Sequence, residues 1–115
     1  MKVNPFPPQG WKWVKEVKKV KLIIICYNVA IHQEVMEVLK GAGVKNYTRF
    51  ERAQGVGDLA GPHLGTNVWP AANSVMIIAL EDDKKDKLME KIKELRKDLG
   101  KEGIKAFVLP VEEIT

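Results

Sequence analysis

The stretch Leu22-Ile23-Ile24-Ile25-Cys26, inside the run Val20 to Tyr27, constrains this chain most. A short, continuous, β-branched apolar run has no helical period and reads as a central strand buried on both faces. On that reading Cys26 is an inert core residue. Ser74 to Leu80 is a second such run, and Ile104 to Val111 is the last strand. Val44 to Arg52 alternates instead, with Tyr47, Arg49 and Glu51 opposed to Thr48, Phe50 and Arg52, which is the period of a further strand.

Two helices fall between these runs. Ile31, Val35, Val38 and Leu39 recur at helical spacing from Ala30 to Leu39, and Gly41 and Gly43 stop that helix. Glu81, Asp82 and Asp83 put negative charge where a helix starts. Leu88, Ile92, Leu95 and Leu99 then form one apolar stripe, and Gly100 and Gly103 end it. The order is strand, helix, strand, strand, helix, strand. It predicts an α+β, ferredoxin-like βαββαβ domain: a four-stranded antiparallel sheet with both helices on one face. The second sheet face carries Ile and Val and needs a cover, which in a chain of 115 residues means a partner subunit.

The connection between strands 2 and 3 is long. From Gln54 to Asn73 it holds Gly55, Gly57, Gly61, Pro62, Gly65 and Pro70, too many breakers for a regular element. A loop of that length in so small a domain is usually functional or disordered. The N-terminal region differs again and divides the chain into an arm, 1–19, and a domain, 20–115. Pro5, Pro7, Pro8 and Gly10 preclude regular structure. Trp11, Trp13, Val14 and Val17 follow, interleaved with Lys12, Lys15, Lys18 and Lys19. This segment is expected to pack on the domain or on a neighbouring subunit, a reading favoured over membrane docking because only a turn or two of basic amphipathic helix is available.

Composition narrows the function classes. The net charge is +4, but the basic residues are mixed with acids, as in Lys84-Lys85-Asp86-Lys87, so no nucleic-acid partner is expected. One cysteine excludes an internal disulfide and a Cys-based zinc cluster. No apolar run is long enough to span a bilayer, and the N-terminus lacks the apolar stretch of a signal peptide, so membrane insertion is not expected and a cytoplasmic protein is.

With these elements in order, three motifs carry a resemblance. Gly43-Val44-Lys45-Asn46-Tyr47-Thr48 resembles the turn and second strand of the PII (nitrogen regulatory protein PII) signalling superfamily. Gln54-Gly55-Val56-Gly57 is similar to the glycine pair that opens their T-loop, and Phe107-Val108-Leu109-Pro110-Val111-Glu112-Glu113 to the end of their core. The resemblance spans Lys21 to Glu113. It implies a homotrimer with inward-facing sheets, small-molecule sites in the clefts between subunits, and a loop that engages a target protein, often a transporter or an enzyme. It also implies nucleotide contact, most plausibly with an adenine nucleotide, at the matching positions Thr48, Gly55, Gly57 and Lys105. The sequence departs from the family at several places. Asp58 and Leu59 stand where PII proteins carry an Arg-Gln pair, no Tyr lies between Gln54 and Pro70, and the phosphate turn is reduced to Glu102-Gly103-Ile104-Lys105. These differences point to a divergent member with its own ligand.

The loop residues leave alternatives open. Gly61 and Gly65 allow close backbone approach to a ligand or partner, with Thr66 beside them. Trp69 could stack on a base or anchor a neighbouring subunit. His63 could ligate a divalent metal, bind a phosphate, or be an ordinary loop histidine. A metal site needs further donors, and His32, Cys26, Asp58 and Glu51 do not stand at ligand spacing, so such a site requires several subunits to share it, as in CutA proteins. Lys105 could meet a phosphate or simply be solvated. An RNA-recognition domain of the same element order needs aromatics on its third strand, and Ser74 to Ala79 has none. No catalytic arrangement is apparent, so a regulator is expected and an enzyme is not.

Overall fold

In the computed structural model the chain is described over residues 19–55, 72–99 and 103–115. The elements are β1 (Val20–Asn28), a 3-10 turn (Val29–Ile31), α1 (His32–Gly41), β2 (Thr48–Ala53), β3 (Asn73–Glu81), α2 (Asp82–Leu99) and β4 (Ile104–Pro110). The strands form one four-stranded sheet in the order β2-β3-β1-β4, with every neighbouring pair antiparallel. This is the predicted βαββαβ arrangement.

Both helices cover the same face. Val35 and Leu39 of α1 and Leu88 and Ile92 of α2 share one buried cluster with Ile23, Ile25 and Tyr27 of β1, Met76 and Ile78 of β3, and Ile104 of β4. Because strand side chains alternate, the intervening residues point the other way. Leu22, Ile24 and Cys26 of β1, Val75 and Ile77 of β3, and Phe107 and Leu109 of β4 therefore lie on an open face. The expectation that β1 is buried on both faces is corrected: its second face is only partly covered. Cys26 is likewise half-exposed on that face rather than in the core.

α1 stops where its backbone turns left-handed. Gly43 has φ +78°, Val44 N–H donates to Leu39 carbonyl (3.0 Å) and Gly43 N–H to Lys40 carbonyl (3.0 Å), the Schellman pattern. The turn tucks Val44 into the core beside Leu39. It also consumes residues that alternation alone assigned to a strand, so β2 begins at Thr48 and not at Val44. α2 places Asp82 and Asp83 at its positive end and Arg96 and Lys97 at its negative end. Its apolar stripe fades toward the C-terminus: Leu88 and Ile92 are buried, whereas Leu99 is 40% exposed and not a core residue.

Candidate functional site at the loop end of the sheet

Three connections converge at the end of the sheet where β1 finishes. Asn28 caps the 3-10 turn, its side-chain oxygen accepting from Ala30 N–H at 2.8 Å. Asn28 N–H donates to Gly103 carbonyl (3.0 Å), which ties the turn to the start of β4. Val29 N–H donates to Ala72 carbonyl (3.1 Å), which ties it to the returning stem of the long loop. Gly55, on the outgoing stem, lies so near that stem that a Cβ there would stand 2.9 Å from Asn73 Nδ2.

Beneath the two stems, on the helix side, sits a polar cluster. Ser74 is fully buried, and its hydroxyl donates to Glu51 carbonyl (2.9 Å) and accepts from Arg49 Nη2 (3.2 Å). This bond crosses the irregularity in pairing between Phe50 and Ala53 and joins the end of β2 to the start of β3. Arg49 Nη1 also lies 3.9 Å from Glu51 Oε2. Next to them the buried Tyr27 hydroxyl bonds His32 Nδ1 at 2.7 Å, with the two rings stacked at 5.8 Å. Burial, and then the Arg49 cation, hold His32 below its ordinary value, while Glu51 pulls the other way. His32 is thus held toward its neutral form, with the tyrosine hydroxyl as the hydrogen-bond partner of Nδ1. Sequence reading named His32 only as a stray donor and gave Tyr27 and Ser74 no role. The signal was a hydroxyl at the start of an apolar strand, without any indication of its partners.

The sequence-predicted contacts divide. Thr48 lies on the open face of β2, in register with Ile77 of β3. Lys105 lies on the open face of β4, in register with Cys26 of β1, and is exposed. β2 and β4 are the two edges of the sheet, and Phe107 rather than Lys105 is in line with Thr48, so three strand spacings and a two-residue offset put Thr48 and Lys105 about 16 Å apart. One chain does not bring them together. Gly55 belongs to the loop stem, whereas Gly57, Gly61, His63, Gly65, Thr66 and Trp69 lie outside the described residues. Among the described residues no group of three or more His, Cys, Asp or Glu side chains could hold a metal ion. Among them, too, no helix is long and apolar enough to cross a membrane.

Solved structures share this fold. CPII from Thiomonas intermedia K12, bound to ADP, AMP and acetate, superposes with a TM-score of 0.65 at 19% identity, over 85% of this chain and 91% of that one. The apo form of the same PII-like protein gives 0.61 at 20% identity, over 81% and 89%. A PII-like signaling protein from Thermus thermophilus gives 0.59 at 20% identity, over 82% and 87%. No curated protein sequence matches the chain. The model of the family "Nitrogen regulatory protein P-II" matches residues 17–115, so this chain is a member of the P-II family of regulatory proteins.

Proposed function

We propose that this protein is a cytoplasmic, non-enzymatic signalling homotrimer that binds an adenine nucleotide between subunits and reports occupancy through the Gly55–Pro70 loop to a target protein, such as a transporter or an enzyme. The observation that carries the reading is the division of the candidate contacts: Thr48 and Lys105 share one open apolar face but occupy its opposite edges. Packing that face against copies of itself brings Thr48 of one subunit beside Lys105 of the partner subunit, and buries Phe50, Phe107 and Leu109, which are exposed in the single chain. Lys105 supplies a point charge for a phosphate, and Thr48 a hydroxyl for the base or ribose. Gly55, with Gly57 beyond it, lets the loop backbone close on the ligand, and Gly61, His63, Gly65, Thr66 and Trp69 are the loop's contacts with ligand or target. The binding of ADP and AMP by CPII supports an adenine nucleotide as the ligand class. Occupancy then favours whichever loop state adds contacts to the ligand.

The test is light scattering combined with calorimetric titration of ATP, ADP and AMP. A trimer that binds at least one of them is expected. Lys105→Ala should weaken binding by about tenfold or more, ~1.4 kcal/mol. A monomer, or a trimer whose nucleotide affinity ignores Lys105→Ala, would overturn the assignment.

A further inference from the structure

Thr48 and Gly55 are seven positions apart in the chain. A regular strand presents residues an odd number apart on opposite faces, so an unbroken β2 would turn Gly55 toward the helices and away from Thr48. β2 is not regular. Thr48 pairs with Ile77 and Phe50 with Val75, but Ala53 pairs with Asn73, so β2 advances three positions while β3 advances two. That one extra residue is a β-bulge, and it reverses the alternation beyond it. Asn73, Val75 and Ile77 share the open face, because the alternating Ser74, Met76 and Ile78 are buried beneath the helices. Ala53, in register with Asn73, therefore falls on the open face with Thr48. A second observation puts Gly55 on that side too: a Cβ there would point at the Asn73 side chain, 2.9 Å from Nδ2.

A bulge leaves backbone groups of its extra residue without a ladder partner. Ser74 stands opposite the bulge and supplies one. Its hydroxyl donates to the Glu51 carbonyl at 2.9 Å and accepts from Arg49 Nη2 at 3.2 Å. A hydroxyl has one hydrogen, and the guanidinium can only donate, so that hydrogen goes to the carbonyl. Ser74 is fully buried, and removing its hydroxyl leaves the carbonyl short of its partner.

We propose that Ser74 is a positioning residue: its hydroxyl, oriented by Arg49, holds the bulge that brings Gly55 to the same sheet face as Thr48, a role that rests on the nucleotide site proposed above. Thr48 and Gly55 of one subunit then meet the ligand together, facing Lys105 of the partner subunit. Ser74 touches no ligand itself and acts through the course of the outgoing stem.

The test uses the full chain. In a Cys26→Ser background, Ala53→Cys with Asn73→Cys should form a disulfide within one chain several-fold faster than Arg52→Cys with Asn73→Cys. The second pair is the one that a strand without the bulge would bring into register. Adding Ser74→Ala should shrink that preference several-fold and weaken calorimetric binding of ADP several-fold. Oxidising the Ala53→Cys, Asn73→Cys pair in the Ser74→Ala protein should restore the affinity, a recovery that general loss of stability would not show. Ile92→Val, a buried change in α2, should leave the affinity unaltered. Equal crosslinking of the two pairs would overturn the proposal. So would a preference indifferent to Ser74→Ala, or an ADP affinity that ignores it. If the unsubstituted protein binds no adenine nucleotide, the nucleotide reading fails, and the two crosslinking pairs alone decide on Ser74. Should Ser74→Ala not fold, Arg49→Gln, which frees the hydroxyl to turn away from Glu51, gives the same decision.

Discussion

Tyr27, His32 and Ser74 bind the loop stems to the core with few atoms, and each makes a separate prediction. Tyr27→Phe removes the hydrogen-bond partner of His32 Nδ1 and should cost about 1 kcal/mol in denaturant unfolding. Ser74→Ala leaves Glu51 carbonyl and Arg49 short of a buried partner and should cost about 1–3 kcal/mol. The depressed His32 value fixes the sign of a pH effect. Between that value and the ordinary one, about 6.5, the unfolded chain binds more protons than the folded one. The contribution of His32 is complete above about pH 6.5 and is lost as pH falls through the folded value. Stability measured from pH 7.5 down to pH 5 should therefore decline, with a smaller slope in His32→Gln. None of this cluster was legible in the sequence: Ser74 bonds residues 23 and 25 positions away, and the five-residue step from Tyr27 to His32 crosses the turn between β1 and α1, which apolar period does not describe. Thr48, Gly55 and Lys105 are candidates through motif resemblance alone, and the separation of Thr48 from Lys105 became visible only with the strand order.

Secondary structure was far more legible, since apolar period is a local property. β1, β3, β4 and both helices follow from it. The misjudged boundaries have physical reasons: the turn after α1 takes Val44 into the core, and the apolar stripe of α2 leaves the buried cluster by its last turn, where Leu99 is 40% exposed. Cys26 was misplaced for a related reason. A run apolar on both sides does not reveal whether its second cover belongs to the same chain. Truncations along α2 should grade accordingly. Leu88→Ala is expected to cost about 2–5 kcal/mol, because it empties a fully buried site. Leu99→Ala should stay within about 0.5 kcal/mol. Urea midpoints of the two variants check the contrast, and equal losses would mean that Leu99 is covered in solution.

The proposed assembly rests on the apolar sheet face. Phe107 is 49% exposed in the single chain and faces Ile24 across the β1–β4 ladder. Phe107→Asp should leave the individual fold intact by circular dichroism, because it takes nothing from the buried cluster. It should raise the dissociation constant of the assembly by about tenfold or more, ~1.4 kcal/mol, as seen in light scattering across a dilution series. A mass unaffected by this variant would place the contact elsewhere on the molecule.

The strand order has a further consequence. A ligand held between the β2 edge of one subunit and the β4 edge of another binds only the associated form, so by mass action it must also tighten that association. Dilution would release the ligand even in its excess, and adding ligand would delay dissociation. In a cell, the readout would then depend on how much of this protein is present as well as on how much nucleotide. Expression level becomes a second input to the same switch.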